Sequence, residues 1–147
     1  LTWNTVYVEG WALYCEEMMK DAGFFPDPMT QLGQLKETLW RSARIVVDTS
    51  IQRGEMTLEE GIDFMVREVK LERVNATAEV KRYATAPTQP SSYMIGKRAI
   101  MDIRRRFEAD AGDAFDLKTF HDRLLDLGSI QPALVEASLG MRELERI

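Results

Sequence analysis

The stretch Val8-Glu9-Gly10-Trp11-Ala12-Leu13-Tyr14-Cys15-Glu16-Glu17 decides how this chain is read. With Trp3, Val6 and Tyr7 ahead of it, its apolar side chains surround a helix on nearly all sides, and a helix apolar all round is a buried helix. The spacing predicts a first helix from Trp3 to Ala22, stopped by Gly23 as a C-terminal cap. Glu9 is the only acid among the first fifteen residues. A buried carboxylate needs a cation or strong donors. Gly10 beside it costs about 1 kcal/mol relative to alanine inside a helix, so something is expected to approach that backbone closely. Two readings of Glu9 stand open: half of an ion pair within the bundle, with Arg41, Arg44 or Arg82 as partner, or a metal ligand facing residues outside this chain.

Outward from this segment, strand signals are almost absent and helical spacing is widespread. Phe24, Phe25, Pro26 and Pro28 make a short turn. A long second helix should carry Leu32, Leu35, Leu39, Ala43, Val46 and Ser50 as one stripe and end near Gly54. Thr57 with Glu60 three residues on reads as a capping box opening a third helix, whose inner face is Leu58, Ile62, Met65 and Val69. A short fourth helix starts at Asn75 or Thr77, runs through Lys81 and Tyr83 and ends before Pro87. The stretch from Ala86 to Ser91, with two prolines, is expected to be irregular. A fifth helix places Tyr93, Gly96, Ile100, Ile103 and Phe107 at steps of three and four and ends at Gly112. Asp116 caps a sixth helix through Leu127, closed by Gly128, and Pro132 opens a seventh that reaches the C-terminus. Short connections favour antiparallel neighbours. The expectation is an all-α, multi-helix bundle of about seven helices, forming one helical domain over residues 1–147.

The composition bounds what such a bundle can do. The 147 residues suffice for one ordinary domain, and 45% hydrophobic content is enough to bury a core. The net charge of −5 argues against a nucleic-acid partner, and no apolar stretch is long enough to span a bilayer. The single cysteine, Cys15, excludes an internal disulfide framework and a cysteine-built zinc finger. The single histidine, His121, excludes a two-histidine metal site within the chain. Periodicity is already running at Leu1 and no signal peptide is visible, so the chain reads as a piece of something longer, of open compartment.

Several segments together resemble the bacterial family catalogued as domain of unknown function 885. They are Glu9-Gly10-Trp11-Ala12-Leu13-Tyr14 with Glu16, Arg44-Ile45-Val46-Val47-Asp48-Thr49, Arg82-Tyr83, Gln89, Ser92-Tyr93, Ile95-Gly96, and Phe115-Asp116-Leu117 running into Phe120-His121-Asp122. Members of that family resemble zinc-dependent peptidases of the helical oligopeptidase and carboxypeptidase type. The resemblance implies an upstream His-Glu-x-x-Pro-Gly-His segment with two zinc-binding histidines and a general-base glutamate. It makes Glu9 the third protein ligand, which with water completes an open catalytic zinc site. The two histidines and the base are absent here, so zinc is expected in the intact parent and none in this chain alone. The implied partners are an N-terminal part of the same protein and a peptide substrate, with a homo-oligomer possible.

Other residues carry alternatives. The resemblance places Tyr93 where a phenol donates to the oxyanion of a peptide carbonyl under attack; otherwise it heads the Gly96, Ile100, Ile103, Phe107 stripe and packs. Arg82 and Arg98 are candidates to clamp a peptide carboxylate, against ordinary ion-pair or surface roles. Arg104, Arg105 and Arg106 read as a solvated basic run. His121 reads as a core-edge residue whose hydrogen bond orients a helix, and Cys15 as an inert small hydrophobe. Family members often carry Gly and His where Ser50 and Gln52 stand, and Pro-Gly-Gln-Ala where this chain has Pro87-Thr88-Gln89-Pro90. The extra proline should stiffen the loop that presents Tyr93, and both departures bear on substrate preference and activity. The function expected is the C-terminal part of a zinc peptidase, inactive as this chain; the rival is a non-catalytic structural or protein-binding helical module.

Overall fold

The computed structural model describes residues 3–140. They form seven α-helices and no strand: α1 (Thr5–Asp21), α2 (Pro28–Gln52), α3 (Leu58–Val69), α4 (Arg73–Thr85), α5 (Gln89–Ala111), α6 (Leu117–Asp126) and α7 (Pro132–Ser138), with a 3-10 turn at Gly112–Ala114. The all-α bundle expected from helical spacing is what the chain adopts. Two compact units share these helices, with boundaries inside α1 and α5: Cys15–Met94, and the residues up to Tyr14 with those from Ile95 onward.

In the Cys15–Met94 unit, α2, α3 and α4 pack on one another around Ala43, Val47, Ile62, Met65, Val69, Ala76, Val80 and Tyr83. The capping box of α3 is present in both directions: Thr57 accepts from the Glu60 amide, and the Glu60 carboxylate accepts from the Thr57 amide. Asp27 caps α2 ahead of Pro28. The predicted stripe of α2 is not its buried face. Leu32, Leu35, Leu39 and Val46 are exposed, while Ala43, Arg44, Val47 and Asp48 are buried. Neighbouring positions on a helix differ by about 100°, so a covered face centred on Val47 and Ala43 turns Val46 outward. Leu58 is likewise exposed at the mouth of α3, whereas Ile62, Met65 and Val69 are buried. Helix α4 begins at Arg73, a few residues before the predicted start, and ends before Pro87 as expected.

The other unit buries Tyr7, Leu13, Tyr14, Ile100, Ile103, Phe120, Leu124 and Val135. Two glycines meet at its centre. A Cβ on Gly96 would lie 2.8 Å from the Gly10 Cα and closer still to the Val6 carbonyl oxygen; a Cβ on Gly10 would strike the Gly96 backbone. The close backbone approach expected at Gly10 is therefore made by α5. Helix α1 is less enclosed than its composition suggests. Tyr7, Gly10, Leu13 and Tyr14 are buried, Glu9 and Trp11 are half-buried, and Trp3 and Ala12 are exposed.

Helix α6 is capped by Asp116 accepting from Thr119, and Gly128 follows it with φ of 70°. Helix α7 opens at Pro132 and is followed by Gly140 with φ of 77°. The predicted run to the C-terminus stops short, because α7 ends at Ser138 and the chain turns at Gly140; residues 141–147 lie outside the described residues.

The stretch from Ala86 to Ser91 is only half irregular. Helix α5 starts at Gln89, with Pro90 in the first turn, where a missing amide costs no helical hydrogen bond. The turn before it rests on Thr88, whose φ of 68° is the left-handed region. The buried Asp48 carboxylate holds this turn, accepting from the Thr88 amide at 3.2 Å and the Ser91 hydroxyl at 2.7 Å.

Candidate functional site

Within the Cys15–Met94 unit, a polar cluster forms where α2 and α4 meet the first turns of α5. Arg44 is its buried centre. Its guanidinium lies 4.9 Å from the Trp40 ring centroid and 5.0 Å from the Tyr93 ring centroid, both within cation–π range. Its Nε donates to the Tyr83 hydroxyl at 3.2 Å, and Nη2 lies 3.4 Å from the Glu79 carboxylate. Tyr83 also accepts from Trp40 Nε1 and donates to Glu79 at 2.9 Å.

Arg82 extends the cluster. Its Nη2 donates to Glu79 at 2.9 Å and its Nη1 to the Gln89 Oε1 at 2.7 Å. Gln89 Nε2 in turn donates to the Tyr93 hydroxyl oxygen at 3.4 Å. Burial alone would raise the Glu79 carboxyl, but hydrogen bonds from Arg82 and Tyr83 and the charges of Arg82 and Arg44 outweigh it and hold it below the usual range. Burial is the main cause that pushes the Tyr83 phenol up.

Two of the sequence candidates, Tyr93 and Arg82, thus fall in one hydrogen-bonded chain. Arg98 does not join them. Its side chain is 85% exposed in the other unit, 4.0 Å from Asp102. Sequence reasoning did not anticipate Glu79 or Trp40 in this cluster. The usable signal was Glu79, Arg82 and Tyr83 at i, i+3 and i+4, which puts all three on one helix face. Of the departures from the family pattern, Gln52 donates to the Tyr83 carbonyl at 3.2 Å.

Glu9 and His121 belong to the other unit. Glu9 sits on α1 beside the glycine contact. The three arginines weighed as its ion-pair partners engage other acids: Arg41 lies 2.7 Å from Glu37 and 3.7 Å from Glu16, while Arg44 and Arg82 both meet Glu79. As a carboxylate, Glu9 is a hard oxygen donor of the kind zinc accepts. Among the described residues no three of His, Cys, Asp and Glu gather into a group able to hold a metal ion.

His121 does make the expected orienting hydrogen bond, though to a side chain. Its Nε2 lies 2.7 Å from the Tyr14 hydroxyl, and its ring packs edge-on to Trp11. Arg104, placed in a solvated run by sequence, instead donates to the same hydroxyl at 3.3 Å. Burial, helped by the Arg104 charge and opposed by Asp122, pushes the His121 pKa down, which favours the neutral ring and lets Tyr14 donate to Nε2. Arg105 and Arg106 are exposed and paired with Asp102 and Glu136. Burial raises the Cys15 thiol, as suits an inert side chain.

Residues 1–139 match the family described as "Bacterial protein of unknown function (DUF885)". The chain belongs to this family. Two solved structures resemble this DUF885 chain over 92% of its length. One is a "putative lipoprotein" from Colwellia psychrerythraea, 34% identical with a TM-score of 0.89. The other is a "putative lipoprotein of unknown function" from Shewanella oneidensis, 33% identical with a TM-score of 0.86. The DUF885 chain spans 23% and 25% of the length of those two proteins. No curated protein matches it. Among the described residues, no helix is long and apolar enough to cross a membrane.

Proposed function

We propose that this DUF885 chain is the C-terminal part of a zinc-dependent peptidase acting on small peptides. In this reading Glu9 is a zinc ligand, completed by two histidines from elsewhere in a longer protein. Zinc, when bound, supplies Lewis acidity that activates water and polarises the scissile carbonyl. Tyr93 donates a hydrogen bond to the oxygen that gains negative charge as the carbonyl is attacked. Arg82, the more exposed of the two clustered guanidiniums, meets the substrate carboxylate.

The observation that carries the reading is the mounting of Tyr93. The phenol stands in the first turns of a long helix, with a guanidinium against its ring and an amide donor on its oxygen. A donor fixed before substrate arrives needs little reorganisation as charge develops. The non-catalytic alternative draws on Gly10, whose small size is accounted for by packing against Gly96 without any ligand.

Glu9→Gln in the full-length protein separates the two. The substitution keeps the shape and removes the charge. As a ligand, Glu9 loses zinc occupancy and turnover together, by orders of magnitude. As a structural group, half-buried on α1, it would instead change stability alone, with turnover per folded molecule unchanged. Bound zinc, turnover and thermal unfolding are measured on one sample. Full zinc occupancy with normal turnover eliminates the ligand assignment.

A further inference from the structure

The amide that reaches the Tyr93 oxygen belongs to Gln89, a side chain to which the proposed function gives no role of its own. Gln89 stands between a group that can only donate and a group that can do either. Arg82 Nη1 points at one end of its amide at 2.7 Å. A guanidinium has no acceptor, so that end must be the carbonyl oxygen. The amide is flat and its other end is an NH2, which then has to face the Tyr93 oxygen, 3.4 Å away. Glu79 accepts from the second terminal nitrogen of Arg82 at 2.9 Å, which keeps Nη1 on the Gln89 oxygen. Direction therefore passes along the series: carboxylate, guanidinium, amide, phenol.

The consequence falls on the phenol proton. With one lone pair of the Tyr93 oxygen taken by the Gln89 NH2, the Tyr93 hydrogen must point away from Gln89. The ring plane is fixed separately by Arg44 against its face. A tyrosine held at ring and oxygen, with its proton directed away from Gln89, is a preset donor.

We infer that Gln89 is a positioning residue that fixes Tyr93 as a hydrogen-bond donor toward the substrate oxygen. The inference rests on the peptidase reading of Tyr93, and its test keeps the two apart. The first arm needs no activity. In the chain labelled with nitrogen-15, Tyr93→Phe removes the acceptor of the Gln89 NH2, so the Gln89 side-chain amide resonances shift and their exchange with solvent quickens. Arg82→Gln shifts them as well, by releasing the other end of the amide. Unchanged Gln89 resonances in Tyr93→Phe overturn the inference.

The second arm uses the full-length protein with zinc and a short peptide. Gln89→Leu lowers kcat by about tenfold or more and leaves KM nearly unchanged, because only the transition state uses the donor. Gln89→Glu is isosteric, but its carboxylate draws the Tyr93 proton to itself and lowers kcat toward the Tyr93→Phe level. Turnover lost in Tyr93→Phe but kept in Gln89→Leu and Gln89→Glu overturns the role of Gln89 alone. Turnover kept in Tyr93→Phe, with the amide shifts present, removes the premise and overturns the inference along with the oxyanion role of Tyr93.

Discussion

At the scale of single residues, Thr88 is the most strained position of the turn before α5. A β-branched side chain is poorly tolerated at a φ of 68°, the left-handed region that favours glycine. Thr88→Gly keeps the amide that Asp48 accepts and relieves the strain, so the chain should gain about 1 kcal/mol in urea unfolding. His121 sets a second expectation. Its folded pKa is depressed by burial, and by Arg104, below the ordinary value of 6.5. Above that value the ring is neutral both folded and unfolded, and its contribution is fully present. As pH falls below 6.5 the unfolded chain takes up the proton first, so stability drops until the folded pKa is passed. Unfolding midpoints measured from about pH 8 to about pH 5.5 should fall, and His121→Gln should flatten that part of the curve. Both effects were out of reach of the sequence. Pro87-Thr88-Gln89-Pro90 marks an irregular turn but does not show that Thr88 takes the left-handed backbone in it.

At the scale of helices, caps and breakers were legible because their chemistry is local. Thr57 with Glu60, Asp116, Gly23 and Gly128 act as the sequence indicates. Faces were less legible, because burial depends on where neighbours lie. In α2 the leucines point outward and an arginine and an aspartate point inward, the reverse of what a hydrophobic stripe suggests. The candidate site divides in the same way. Tyr93 and Arg82 could be named from motif positions, and Glu79 lies one turn before Arg82 on α4, but Trp40 joins them only through tertiary packing of α2 on α4. The α1–α5 contact is the element-scale feature most open to test. Gly96→Ala would drive a methyl into the Val6 carbonyl and the Gly10 Cα, both main-chain atoms that no rotamer change can clear. It should cost about 3 kcal/mol or more by thermal unfolding, well above an ordinary glycine-to-alanine change in a helix, which is normally stabilising. A loss under about 1 kcal/mol would show that the helices separate easily.

At the scale of the whole molecule, the chain displays much apolar surface for its size. Leu32, Leu35 and Leu39 on α2 are each about half exposed, and with Val69 they line a groove of about 400 Å³ edged by Lys36 and Lys70. Exposed apolar patches of this kind drive association, opposed here by the net charge of −5. The chain should self-associate as its concentration rises, more so in high salt, and Leu35→Glu with Leu39→Glu should return it to monomer by light scattering. A strictly monomeric parent chain at high salt would contradict this. The same helix has a further property. Every buried residue of α2 lies at Ala43 or beyond and Trp40 is the first to pack on the core, so its first half, as far as Leu39, is anchored by its own hydrogen bonds, by Asp27 and by Gln31 on the Phe25 carbonyl, with Gly33 weakening it. That half can unwind without opening the core, while the second half can do so only when the core itself comes apart. One continuous rod thus lives on two clocks. Its exposed leucines are carried by the fast one, and Arg44, which holds the ring of Tyr93, is kept by the slow one.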